Sequence, residues 1–179
     1  MTKAIMEARE WQQAQLIIKQ SQPQIKPTTT SATNPNTITC FTDGSWCKET
    51  KAGGAGWIFV DPEGKELSCG QTAERSVTSP IMAEALAIRS ALNQALDNGI
   101  TNLMINSDAQ ELLRAINSHE TIKEIYGLLF DIHTLASMFL SISFQFVPRS
   151  KNSQADSIAK FAKETLVASM PKRAPPCSH

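Results

Sequence analysis

The sequence predicts an α/β protein: a five-stranded mixed sheet, made of a three-strand antiparallel meander plus two parallel strands, with helices on both faces. Three observations predict it. Three short strand-like segments lie close together between Thr37 and Cys69, separated only by turn signals. From Ser79 to Val167 helical and strand-like segments alternate, the pattern that builds a mixed sheet covered by helices. The composition, 41% apolar and 19% charged over 179 residues, is that of one globular domain, and no internal repeat is present.

The elements follow in order. Thr2–Gln20 reads as a helix, with Ile5, Ala8, Trp11, Leu16, Ile17 and Ile18 roughly on one side, and Trp11 is most simply a docking residue. Ser21–Asn36 is rich in Ser, Thr, Gln, Asn and Pro, a linker composition that cannot build a core. Residues 1–36 are therefore expected to be an N-terminal helix and flexible linker, residues 37–168 the domain, and residues 169–179 a disordered Pro-rich tail. Thr37–Trp46 is the first strand, Lys51–Gly56 a Gly-rich turn, and Trp57–Val60 the second strand. Asp61-Pro62-Glu63-Gly64 is a hairpin turn leading into a third strand, Glu66–Cys69. Ser79 followed by Pro80 starts a helix, which runs to Asn98 and stops at Gly99. Asn102–Ser107 is a short buried strand, Ala109–Asn117 a helix, and Ile122–Ser137 one or two more helices. Ile142–Val147 is a strand ended by Pro148, and Asn152–Val167 is the last helix.

Composition excludes several functions. Lys and Arg total 17 and Asp and Glu total 17, so the chain is formally neutral, which argues against binding DNA by bulk charge alone. Any nucleic-acid contact has to be local or metal-mediated. Apolar runs such as Leu103–Ile105 fall far short of the ~20 residues that span a bilayer. Cys40, Cys47, Cys69 and Cys177 contain no C-x-x-C pair and read as reduced thiols. Met1–Glu10 has no apolar core of a secretory signal, and Glu7 and Glu10 argue against a transit peptide. The expected location is intracellular, nuclear or cytoplasmic, and the expected state a monomer.

Acids placed where burial makes them costly carry the functional argument. Asp43 lies inside the first strand, where Asp is depleted, beside Gly44, which admits close approach to the backbone. Glu84 lies in the first turns of its helix, on or beside the apolar stripe of Ile88, Ala91 and Ala95. Asp108 directly follows a buried strand and precedes a helix; it stands at the strand edge where open α/β sheets bind ligands, and it can also cap the helix. Asp156 is one turn into the last helix and borders the stripe of Ala155, Ile158, Ala159 and Ala162. Four carboxylates that converge repel one another by several kcal/mol unless a cation sits among them. Oxygen-only ligands select hard ions such as Mg²⁺ or Mn²⁺, and two such ions form a clamp for displacement at phosphorus.

Thr42-Asp43-Gly44-Ser45, Ala83-Glu84-Ala85-Leu86-Ala87, Ser107-Asp108 and Asn152-x-x-Ala155-Asp156-x-x-Ala159 together resemble ribonuclease H type 1. The stretch from Val147-Pro148-Arg149 to Asp156 is especially like the plant branch related to the ribonuclease H segment of non-LTR retrotransposon polyproteins. The resemblance covers about Thr37–Val167. It implies that Asp43, Glu84, Asp108 and Asp156 are the catalytic, metal-binding carboxylates and that they hold two Mg²⁺ or Mn²⁺ ions. It implies a reaction, hydrolysis of the RNA strand of an RNA–DNA hybrid, and substrate contacts at Gly44, Ser45, Arg149, Lys151 and Asn152.

The chain departs from the family at four places. The loop Pro148-Arg149-Ser150-Lys151-Asn152 has no His, and neither Arg149 nor Lys151 serves as a base near neutral pH, so lowered turnover is expected. Ser79-Pro80-Ile81-Met82 stands where relatives carry polar readers of the hybrid's minor groove. Ser118–Lys123 is too short for a basic protrusion, and residues 1–36 are too short and too poor in Lys, Arg and aromatics for a hybrid-binding domain. A second reading, from another class, is a domesticated nucleic-acid-binding module that keeps the fold and cleaves weakly; a fragment of a larger polyprotein is a third. Other chemistries lack their motifs. Gly53-Gly54-Ala55-Gly56 is not followed by Gly-Lys-Ser/Thr, and His119, His133 and His179 have no Gly-x-Ser-x-Gly partner. Ser45 occupies the position of the Glu that a proofreading exonuclease requires.

Overall fold

The computed structural model describes residues 35–171. The expected N-terminal helix, nearly all of the linker, and residues 172–179 of the tail lie outside them. Five strands, β1 (Ile38–Trp46), β2 (Gly53–Val60), β3 (Glu66–Glu74), β4 (Asn102–Ser107) and β5 (Ser141–Phe146), form one sheet in the order β3-β2-β1-β4-β5. β1, β2 and β3 are an antiparallel meander, and β4 pairs parallel to both β1 and β5. The helices are α1 (Pro80–Asp97), α2 (Gln110–Ser118), α3 (Tyr126–Ala136) and α4 (Ser153–Ser169). Short 3₁₀ turns at Lys123–Ile125 and Arg149–Lys151 lead into α3 and α4. The predicted architecture is the observed one.

Local chemistry sets the boundaries. The Ser79 hydroxyl accepts from the Met82 N–H at 3.3 Å, with Pro80 next as the first helical residue. α1 ends where Gly99 turns to φ +70° and the Ile100 N–H returns to the Ala95 carbonyl at 2.9 Å. The β2–β3 turn is closed by the Asp61 carboxylate, which accepts from the Lys65 N–H at 2.7 Å, while Gly64 takes φ +84°. The Ile122–Ser137 segment resolves into a 3₁₀ turn and one helix.

Two expectations are corrected. Gly53–Gly56 is the first half of β2 rather than a turn, and β3 continues to Glu74 rather than stopping at Cys69. Both corrections have one cause. β2 is buried on both faces, so it needs small residues where a helix backbone presses on it. A Cβ on Gly54 would lie 2.1 Å from the Ala159 carbonyl oxygen of α4, and one on Gly56 would lie 2.6 Å from the Ala159 nitrogen. The helix answers with its own small residues, Ala155, Ala159 and Ala162, all buried. Glycine here is a packing residue.

The main core lies on the other face. Ala83, Ala87, Ala91 and Ala95 of α1 pack with Leu112 and Ile116 of α2 and Leu129 and Ile132 of α3 over Cys40, Phe59, Leu103 and Ile105. Cys40, Cys47 and Cys69 are free thiols.

Gly54→Ala should lower stability by about 2–3 kcal/mol, because the added methyl meets backbone that cannot rotate away. Gly127→Ala is the control. Gly127 is exposed in α3 with nothing within 4 Å of a would-be Cβ, so the change should stabilise by about 0.5 kcal/mol. Urea unfolding of both variants beside the parent chain measures the contrast.

Candidate active site

Strand alternation brings the first two acids together. In β1, Cα pairing matches Asp43 with Gly56 and Ser45 with Gly54, so Asp43 and Ser45 share the face that carries α4. Phe41 of β1 is the parallel partner of Asn106 in β4. Two residues further along each chain stand Asp43 and Asp108, side by side at the end of the sheet. Neighbouring parallel strands are what the convergence of these acids required.

Glu84 arrives from α1. The first turns of this helix cross β1 at Gly44, where a Cβ would lie 2.4 Å from the Ala83 carbonyl carbon and the Glu84 nitrogen. With no side chain in the way, the Gly44 N–H reaches the Glu84 carboxylate and donates to it at 3.0 Å. One oxygen each from Asp43, Glu84 and Asp108 then lies within 4.8 Å of the others.

The electrostatics are strained. Asp43 is 3% exposed, and burial, then the charges of Asp108 and Asp156, push its carboxyl up to about 7. Burial, then the charges of Asp43 and Asp108, push Glu84 up to about 9, against the pull of the Gly44 N–H and Arg149. The Asn152 amide Nδ2 donates to the Thr42 carbonyl at 2.9 Å, to Asp108 Oδ1 at 3.2 Å and to Asp43 Oδ1 at 3.4 Å. The donor is an uncharged amide, so these bonds bring no positive charge into the cluster. Three hard oxygen donors that cannot all ionise together are a donor set that fits a divalent cation.

Asp156 differs. Its charge reaches Asp43, yet its own oxygens are taken: Lys160 Nζ lies 2.6 Å from Oδ2, and the Arg149 guanidinium donates to Oδ1 at 3.2 Å. Burial works against the Asp156 anion, but these two cations outweigh it and hold the carboxyl below its usual range. Its side chain is 16% exposed and stands beside the triad as a charge-compensated fourth acid.

The remaining expected residues divide. Gly44 and Ser45 lie at the end of β1, with Ser45 largely buried. Arg149, 72% exposed at its side chain, and Lys151 ride on the 3₁₀ turn beside the site. Asn152 is 1% exposed and lies beneath the carboxylates, with its amide on Asp43 and Asp108. Asp108 does not cap α2 with its side chain: the cap position is Ala109, whose N–H bonds to the Ser107 hydroxyl at 3.1 Å. Sequence reading passed over Lys160, although Asp156 and Lys160 stand at the i, i+4 spacing of a helical ion pair. His119 and His133 stack on each other with ring centroids 4.5 Å apart and make no hydrogen bond to these acids.

A family model described as reverse transcriptase-like matches residues 41–162, more than half of the chain and all four acids. This chain belongs to the reverse transcriptase-like family. A search of curated proteins gave no match. Among solved structures, this reverse transcriptase-like domain is similar to ribonuclease H1 of Halobacterium salinarum, with TM-score 0.67 and 22% identity over 72% of this chain and 98% of that one. It is also similar to LC11 ribonuclease H1 in complex with an RNA/DNA hybrid, with TM-score 0.66 and 20% identity over 73% and 99% of the two chains. A third similarity is to the foamy viral protease–reverse transcriptase in complex with an RNA/DNA hybrid, with TM-score 0.62 and 16% identity over 81% of this chain and 24% of that one. The fold of this reverse transcriptase-like chain is that of ribonuclease H.

The raised carboxyls predict how stability follows pH without metal. The unfolded chain releases these protons near pH 4, whereas folded Asp43 and Glu84 keep theirs to about 7 and 9. Between those values the folded state binds more protons, so unfolding becomes easier as pH rises. In chelator, Asp43→Asn should melt about 3–5 °C above the parent chain at pH 8, the shift that roughly 1 kcal/mol makes at this size. The gap should close near pH 4, where Asp43 is already neutral. Calorimetric melts at the two pH values decide it; equal melting at pH 8 would show that Asp43 bears no repulsion.

Proposed function

We propose that this chain hydrolyses the RNA strand of RNA–DNA hybrids, using divalent ions, Mg²⁺ or Mn²⁺, two per site. One observation carries the reading: three acids from β1, α1 and the end of β4 bring oxygens within 4.8 Å of one another at the edge of a ribonuclease H fold. The substrate class is supported by relatives of like fold whose structures were solved with RNA/DNA hybrids.

The chemistry adds water across a phosphodiester, with attack at phosphorus and departure of the 3′-oxygen. Asp43, Glu84 and Asp108 would hold the cations, with Asp156 as the fourth ligand once it leaves Arg149 and Lys160. Bound there, divalent ions supply charge stabilisation for the attacking water and the leaving oxygen. The chain's own residues do the rest. Gly44 fixes the Glu84 carboxylate through its N–H. Glu84 and Asp43 release their protons as a cation replaces them, so loading is favoured by rising pH. Arg149 and Lys151, exposed beside the acids, attract the phosphate backbone.

The site is complete within one chain, which supports action as a monomer. The free thiols of Cys40, Cys47 and Cys69 support an intracellular, nuclear or cytoplasmic location. The Val147–Asp156 stretch supports the plant, retrotransposon-related branch. One observation favours the second reading, a binding module that cleaves weakly: Asp156 is tied to Lys160 and Arg149 rather than to the triad.

A labelled hybrid, double-stranded RNA and double-stranded DNA, each incubated with Mg²⁺, Mn²⁺ or chelator, separate the two readings. Only the RNA of the hybrid should be cut, and only with metal. Asp43→Asn should slow single-turnover cleavage by about 10²–10³ or more while leaving the fold intact. Hybrid bound but never cut would sink the nuclease reading in favour of the binding module.

A further inference from the structure

We propose that Asn152 is a positioning residue: its buried amide bridges Asp43 and Asp108 and presets them to receive a cation. The proposal rests on the nuclease reading and adds to it a residue that touches neither substrate nor metal.

Three observations converge on this side chain. First, Asn152 occupies the N-cap position of α4, where asparagine ordinarily bonds to a free helix N–H, yet its side chain caps nothing. Its backbone carbonyl starts the helix by accepting from the Asp156 N–H at 3.1 Å, while the side chain turns inward. Second, the amide sets two N–H bonds against three acceptors: the Thr42 carbonyl at 2.9 Å, Asp108 Oδ1 at 3.2 Å and Asp43 Oδ1 at 3.4 Å. Third, its Oδ1 is buried and accepts no hydrogen bond; among the described residues Asn106 Oδ1 is the one other side-chain polar atom so left.

The third observation explains the second. Turning the amide over would aim its oxygen at two carboxylates and a carbonyl, which repel it. The donor edge therefore stays inward, and the oxygen goes without a partner. A chain selected for stability alone would place an apolar residue or a capping side chain here. What the orphaned oxygen maintains is a shared donor that draws Oδ1 of Asp43 and Oδ1 of Asp108 to one point. The second oxygen of each carboxylate is left for another partner. Asn152 also links Thr42, Asp43 and Asp108 to the first turn of α4, so the acids of two strands are aligned by a third element. Residues that orient metal ligands in this way set affinity without contacting the ion.

Mn²⁺ titration calorimetry on Asn152→Ala, in the absence of nucleic acid, tests this. Loss of the donor should weaken Mn²⁺ binding about 10-fold or more. In hybrid cleavage kcat should fall while KM for the hybrid stays within twofold. Asn152→Ser keeps one shorter donor and should bind Mn²⁺ with intermediate affinity; it is read in place of the alanine variant if that chain does not fold. Mn²⁺ affinity within twofold of the parent in a folded variant would overturn the proposal, as would a raised KM with kcat unchanged. The titration needs no substrate. If the parent chain cuts no hybrid, the nuclease reading fails while the affinity comparison still decides the role of Asn152.

Discussion

Mutual repulsion among Asp43, Glu84 and Asp108 is the constraint that the rest of this molecule serves. With oxygens within 4.8 Å, each ionised pair repels by about 3–4 kcal/mol at an effective dielectric near 20. No flexible assembly would keep them there. The chain does so by fixing each acid to a different rigid element and tying those elements together by backbone. β1 and β4 are locked by parallel pairing from Ile38–Leu103 to Phe41–Asn106, and α1 is brought against β1 at a residue with no side chain. Folding energy from the core is thus stored as a cluster of reluctant anions, which a cation would relieve.

The centre divides into two regimes. Asp43 is buried and Glu84 half-buried, and both are hard to ionise despite the pull of Arg149. Asp156 is more open, is paired with two cations and ionises readily. The first regime is a fixed frame. The second has a helix-borne lysine and an exposed arginine each holding one oxygen of the same carboxylate, so any ion that uses Asp156 displaces contacts already made. The loop that lacks histidine is also the loop whose arginine makes one of those contacts.

Much of the fold was legible because its punctuation is local. Ser79-Pro80 and Gly99 bound α1 as read, Asp61–Gly64 makes the hairpin turn, and the end of a buried strand placed Asp108. The acids were legible because they occupy costly positions in an order that resembles a known family. What failed to show were features whose meaning lies in another part of the chain. Gly53–Gly56 has the composition of a turn, and only the backbone of α4, more than a hundred residues later, makes it a strand. Asn152 has the look of a loop or cap residue, and only the convergence of β1 and β4 beneath it reveals a buried bridge. Asp108 has the signature of a helix cap, but the Ser107 hydroxyl takes the neighbouring N–H and leaves the carboxylate for the cluster.

The glycine–alanine contact between β2 and α4 has a consequence for how such a protein can change. Most helix–sheet contacts are made of side chains, so their spacing drifts as residues are exchanged one at a time. Here the main chain of Gly54 and Gly56 rests on the main chain of Ala159, and glycine has no smaller residue to give way to. The height of α4 above the sheet is therefore closed to gradual variation, and with it the level at which Asn152 and Asp156 meet the acids. Divergence is pushed outward to the exposed turn Arg149–Lys151 and to Lys160, where substitutions alter charge without moving the mount. A lineage carrying this seam can retune how its centre is charged and what approaches it, while the frame itself is inherited whole.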